Sequence, residues 1–331
     1  MPRSYTCYKI DVPLSLTGRL DSQPWTDAPW TEPFVDILGE SAPRPRHLTR
    51  AKMLWDAKYL YIGAELAEPH VWATITQRDA VIFYDNDFEV FIDPDGDNHQ
   101  YYEIEINALN TVWDLLLIKP YRDGGPAVNC WDISGLKTAV HVNGTLNDPT
   151  DTDTGWSVEM ALPWTSLHEC AHRTTPPADG DRWHINFSRV QWETSVVAGK
   201  YVKTAGKPED NWVWSPQGVV DMHRPEQWGQ VVFSTSPPRH SSPPQQDVAQ
   251  PIRDYLMRLY YLEKRYFQIH KLYSSTLHQA ELSHVAVLGI TEVVIETTST
   301  GFLASATYRH DNAVRRWHVD DSSRLWTSGV I

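Results

Sequence analysis

Residues Asp85–Asn107 read DNDFEVFIDPDGDNHQYYEIEIN, two acid-dotted runs about one Asp-rich turn. In Asp87–Ile92 the apolar Phe88, Val90 and Ile92 alternate with Asp87, Glu89 and Phe91. In Tyr101–Asn107, Tyr102, Ile104 and Ile106 alternate with Tyr101, Glu103, Glu105 and Asn107. A period of two over both runs predicts paired strands with one side buried. Each strand then turns carboxylates and rings to the face opposite the core. Such a face suits polyhydroxylated ligands, whose hydroxyls need acceptors and whose C–H faces need flat rings.

Outward from this hairpin, short candidate strands recur at Lys52–Leu54, Tyr59–Leu66, Val112–Ile118, Thr138–Val142, Trp156–Leu162, Trp183–Gln191, Trp212–Ser215 and Gln230–Ser234. No helical pattern of comparable length interrupts them, which predicts a mainly β region. Pro and Ser crowd Ser236–Gln250, a linker by composition. Beyond it, Pro251 opens Ile252–Tyr273, where Ile252, Leu256, Leu259, Leu262, Tyr266 and Ile269 recur at threes and fours, an amphipathic helix. Thr291–Glu296, Phe302–Arg309, Val314–Val319 and Leu325–Trp326 then read as a small antiparallel sheet. The expected organisation is a β domain over 1–235, a linker over 236–250, and a helix-plus-sheet module over 251–331 whose role and protein partner the sequence does not assign.

Composition narrows the function. The chain carries 29 basic against 42 acidic residues, a net charge of −13. No basic block interrupts that excess, which argues against nucleic-acid binding. No segment approaches the ~20 apolar residues of a membrane span. The opening MPRSYTCYKIDVPLSL lacks the apolar core of an export signal, which leans the location to the cytoplasm while leaving it open. Cys7, Cys130 and Cys170 form no CxxC pair, and an odd number cannot all pair within one chain, so a disulfide framework is not expected. Fifteen Trp and fifteen Tyr against eight Phe favour rings with a polar handle. Most of these belong in a core, and a few can serve as ligand platforms.

The pieces LTGRLDSQPWTDAPW, MLWDAKYLYIGAELAEP, the central hairpin, GWSVEMALPW and NWVWSPQGVVDMHRPEQWGQVVF, in that order and spacing, resemble the family 9 carbohydrate-binding modules from Leu14 to Phe233. That resemblance implies a two-sheet antiparallel, jelly-roll-like β-sandwich with bound calcium, which clamps sugar units, often chain ends, between two tryptophans. In this chain the first clamp position is held by Phe83 or Tyr84, and the second by Met222 and His223 with Arg224 beside them. The strand carboxylate is Glu89, and Glu105 stands where the family can offer an arginine. The expected function is non-catalytic saccharide binding, with Phe83, Tyr84, Glu89, Glu105, Asn107, Met222, His223 and Arg224 nearest the ligand.

Two other functions compete. Glu103 and Glu105 lie two apart on one strand face, about 6–7 Å between carboxyls, within reach of the acid/base pair of an inverting glycosidase. The plainer reading is acceptors for ligand hydroxyls or for Arg189. No GxSxG elbow, HExxH helix, phosphate loop or dinucleotide fingerprint is present. The third reading is a sandwich serving protein–protein contact. Asp93, Asp95 and Asp97 place carboxylates at alternate positions of a turn, as a calcium loop would, although Gly96 comes too early for an EF-hand and no Glu closes the loop. A solvated Asp/Gly/Asn turn explains the same residues. Asn147–Asp153 is a second acidic loop of the same kind. Arg224 has a ready partner in Glu226. Haem ligation by Met222 and His223 fails, because adjacent residues cannot face one iron from opposite sides.

Overall fold

The computed structural model describes residues 2–238, 247–276, 282, 289–310 and 313–330, so 239–246, the middle of the expected linker, lie outside the described residues. The chain divides into two compact units. The first comprises Met1–Asp95, Gln100–Ile118 and Ala127–Pro244, and the second Gly96–His99, Lys119–Pro126 and Gln245–Ile331. The second unit therefore draws on two short excursions of the chain as well as its C-terminal part.

The strands of the first unit are β1 (Ser4–Lys9), β2 (Val35–Asp36), β3 (Thr49–Trp55), β4 (Tyr59–Ala67), β5 (Asp87–Asp93), β6 (Tyr101–Asn107), β7 (Val112–Leu117), β8 (Ala127–Val128), β9 (Lys137–Asn143), β10 (Gly155–Pro163), β11 (Arg182–Gln191), β12 (Thr194–Val197), β13 (Lys200–Lys203), β14 (Asp210–Val213) and β15 (Gly229–Ser234). The central hairpin is β5 against β6, antiparallel, with Asp87 opposite Asn107, Glu89 opposite Glu105 and Phe91 opposite Glu103. From it a run β8-β7-β6-β5-β11-β15 is antiparallel at every pairing, with β14 and β2 added beside β11. A second run, β3-β4-β10-β9, is also antiparallel throughout.

β1 joins the two runs and is parallel to both. Ser4–Tyr8 pair with Gln230–Ser234, and Tyr8 and Lys9 pair with Leu54 and Trp55. The two strictly antiparallel sheets expected from the sequence are thus one mixed, curled sheet. In β1 the polar Ser4 and Thr6 alternate with Tyr5 and Cys7, which enter the main core, but the alternation stops after four residues at Tyr8, which joins a second cluster with Trp25, Leu54 and Tyr61, and so short a run gives no strand signal.

Phe88, Val90, Ile92, Ile104, Ile106, Ile185 and Phe187 from one run share a core with Ala51, Met53, Ile62, Ala64, Val158 and Met160 from the other. Burying each of the larger side chains, alanines apart, contributes about 1.5–3 kcal/mol. Trp55, Trp164, Trp183 and Phe233 close one end with edge-on ring contacts, an arrangement that adds to area burial.

In the second unit, α1 (Gln250–His270) lies on a four-stranded antiparallel sheet of β16 (Ile290–Thr297), β17 (Phe302–His310), β18 (Ala313–Asp320) and β19 (Leu325–Val330). Ile252, Leu256, Leu259 and Tyr260 pack on Phe302, Ala304, Ala306, Val319 and Leu325. The small Ala304 and Ala306 let the helix approach closely. Pro251 sits in the first turn, where no helical N–H is lost, and Lys271 ends the helix in the left-handed region.

Candidate functional site

The outward side of β5, β6 and β7 is divided. At one end Phe91, Tyr101, Leu115 and Leu117 are covered by Ile37, Val213, Met222 and Trp228, which make a small second core. The face expected to be presented to solvent is therefore half roofed, and every residue of β5 and β6 is buried. Past that roof, one row crosses four strands: Ser188 on β11, Glu89 on β5, Glu105 on β6 and Trp113 on β7, each opposite the next in register. Asp87 lies one step further along β5. One carboxylate oxygen from each of Asp87, Glu89 and Glu105 lies within 4.8 Å of the others.

Burial pushes the Glu89 carboxyl up to about 7, with the adjacent Ser188 hydroxyl pulling the other way. Burial also raises Asp87, Glu103 and Glu105 well above the carboxylate range, and the charge of Glu89 raises each of them further. Two carboxylates directly opposite across a strand pair oppose folding when both are charged. Ser188 Oγ lies beside Glu89, and among the described residues Asp87 Oδ2 and Trp113 Nε1 have no hydrogen-bond partner.

Aromatic residues stand beside this row on a pinned loop. Asp85 accepts from Thr74 N, Ile75 N and Asn107 Nδ2, and Asn107 Oδ1 accepts from Leu109 N and Thr111 N. That network fixes the turn Ile82–Tyr84. Phe83 N donates to Glu105 at 2.9 Å, and Trp192 Nε1 donates to Phe83 O at 2.9 Å. The Lys203 ammonium lies 3.4 Å from the centre of the Trp192 ring and 5.4 Å from that of exposed Tyr84.

The expected site residues therefore separate. Phe83, Tyr84, Glu89 and Glu105 come together. Asn107 is consumed in holding the loop, with both ends of its amide used. Met222 is roof, and its carbonyl accepts from Trp228 Nε1. His223 borders the acidic row, with Nδ1 2.9 Å from Tyr101 OH and Nε2 4.0 Å from Glu103. Arg224 pairs with Glu226 at 3.2 Å and donates to Gln217 O. Arg189 does not serve Glu103 or Glu105. It shares the parity of Ile185 and Phe187, points to the opposite side, and pairs with Glu68 at 2.8 Å. The sequence reading missed the roles of Asp87, Ser188, Trp113 and Lys203. The period that singled out Glu89 also selects Asp87, whereas the other three depend on strand pairing and a hairpin.

The acidic turns are local. Asp93 and Asp95 belong to the first unit and Asp97 to the second, where Asp97 accepts from His99 N at 2.7 Å and Arg324 Nε at 3.0 Å. In the second acidic loop, Asp153 accepts from Val71 N and Thr145 N, one on each oxygen. Among the described residues, this loop does not bring three ligating groups together.

The first unit is a β-rich domain built on one curled, mixed sheet. The model of the family described as carbohydrate family 9 binding domain-like matches residues 16–234, and the chain belongs to that family. Exoglucanase XynX of Acetivibrio thermocellus is 30% identical over 118 residues, 35% of this chain and 9% of the enzyme, so the chain spans under a tenth of that relative. A Bacteroides uniformis structure provisionally assigned to carbohydrate binding is 16% identical, covers 71% of this chain and 100% of its own, and has a TM-score of 0.52. A family 9 module of Caldicellulosiruptor kristjanssonii in complex with cellotriose is 14% identical, covers 73% of this chain and 100% of its own, and has a TM-score of 0.46.

Proposed function

We propose that the first unit binds a saccharide, without catalysis, at the row Ser188–Glu89–Glu105–Trp113, with Phe83, Tyr84 and Trp192 as the flanking rings. The observation that carries this reading is the row itself, in a chain of the carbohydrate family 9. Buried carboxylates and the Ser188 hydroxyl beside Glu89 lie next to aromatic rings on a loop held rigid by Asp85 and Asn107. Sugar hydroxyls would meet acceptors there, and sugar C–H faces would meet rings. His223 at Glu103 would form the far wall. The jelly-roll-like sandwich implied by the family belongs to the same proposal.

Titration calorimetry with cellotriose, the ligand of a related module, and with a glycan array to widen the search tests it. Binding should be lost in Glu105→Gln and weakened in Trp192→Ala, with the sugar recovered intact. An unchanged affinity in both variants overturns the placement, and release of new reducing ends by wild type overturns the non-catalytic part.

A further inference from the structure

The sheet of the second unit has an outer face, the side away from its helix, with chemistry that the saccharide reading does not use. Along β17, Phe302, Ala304, Ala306 and Tyr308 pack with the helix, so alternation turns Leu303, Ser305 and Thr307 the other way. Ser305 stands opposite His318 on β18, and His318 stands opposite Trp326 on β19. Three groups then hold one imidazole. Ser305 Oγ lies 2.8 Å from its Nδ1, Ser328 Oγ lies 2.6 Å from its Nε2, and the Trp326 ring stacks on it with centroids 5.1 Å apart and planes at 19°. Ser305 and His318 are buried, whereas Ser328 is exposed on the last strand of the sheet. Ser328 is the diagonal neighbour of His318 and stands opposite Arg316, beside a register shift at Gly329, whose φ is 59°. Such bulges re-aim the side chains next to them.

We propose that Ser328 is a nucleophile toward carboxylic esters, with His318 as its general base, Ser305 as the residue that positions the imidazole, and Arg316 as the cation that meets the oxyanion. This activity belongs to the second unit and stands apart from the saccharide face. A serine hydroxyl is a weak nucleophile until a base lies within hydrogen-bond reach and a third group orients that base. When Ser305 Oγ accepts from Nδ1–H, Nε2 is left with its lone pair toward Ser328. Burial and the Arg316 charge lower the imidazole from its ordinary value against the opposing pull of Glu296, so it is neutral and able to accept a proton at neutral pH. Ser328 Oγ attacks the acyl carbon as its proton passes to Nε2. The bond from that carbon to the alcohol oxygen breaks, and the alcohol departs with the proton. Water then attacks the acyl-serine and gives a proton to Nε2, which returns it to Oγ as the carboxylic acid leaves. Arg316, opposite Ser328 in register, shares its face, and its tie to Glu292 is a long 3.8 Å, so the guanidinium is placed to meet charge that develops on the carbonyl oxygen.

The full chain is treated with a fluorophosphonate probe, digested and mapped by mass spectrometry, and its hydrolysis of para-nitrophenyl acetate is followed in parallel. A single adduct, on Ser328, is expected. His318→Gln should slow labelling and hydrolysis by about 10²–10⁴-fold, and Arg316→Gln should slow hydrolysis by about 10²-fold. Ser305→Ala should slow both reactions, and Ser305→Thr, which keeps the hydroxyl, should restore them. Ser328→Ala, a change at an exposed position, should melt with wild type and take up no probe, which separates the loss of the nucleophile from a loss of fold. No adduct in wild type, an adduct on another residue, or wild-type rates in His318→Gln overturns the nucleophile and its base. Wild-type hydrolysis in Arg316→Gln overturns the oxyanion role, and wild-type rates in Ser305→Ala overturn the positioning role.

Discussion

Glu89 and Glu105 face each other across paired strands, and only a proton or a cation relieves that opposition. The folded-state value of Glu89, about 7, lies above its ordinary 4.5. Between those values the folded chain keeps a proton that the unfolded chain has released, so stability falls as pH rises through that window. The loss is about 3 kcal/mol by pH 8. In chelator, calorimetry should therefore give a higher melting temperature at pH 5 than at pH 8. At pH 8, Glu89→Gln should melt above wild type, although it loses ligand. Arg189 is the opposite case. Burial pushes its guanidinium down to about 10, yet Glu68 needs it. Arg189→Met should cost about 3–5 kcal/mol in urea unfolding, since it strands a buried carboxylate. Alternation made Glu89, Glu103 and Glu105 legible as one face, because that period is local. It could not show that Asn107 faces a loop that consumes it, because that depends on Asp85 arriving from outside the strand.

The strands with clean alternation were readable to within a residue or two. β4, β5, β6 and β10 each carry apolar residues at every second position over at least six residues. The β12–β13 hairpin was not readable, because Val196, Val197 and Val202 are exposed and imitate no burial pattern. Strand ends hold tighter constraints than the pattern shows. A Cβ on Gly229, the first residue of β15, would come 2.2 Å from the buried Trp214 ring. Gly229→Ala should destabilise by about 1–3 kcal/mol, read as a lower urea midpoint with an unchanged m-value.

At the level of the full chain, the family match ends at residue 234, yet that is not where interactions end. Asp123, within the second unit, takes hydrogen bonds from Tyr260 at 2.6 Å and Ser323 at 2.7 Å and an ion pair from Lys264 at 3.0 Å. Each such bond to a charged group is worth about 1.5–3 kcal/mol, so Asp123→Asn in the full chain should lower the melting temperature of the second unit. The parallel seam at β1 has a different consequence, one of timing. Ser4 leaves the ribosome long before its partner Gln230. The two antiparallel runs can form as they emerge, but their union must wait for β15, a late step of high contact order and hence slow. A nascent chain stalled before Gly229 therefore carries an unpaired, apolar strand edge to its neighbours, where it is prone to pair with the wrong chain.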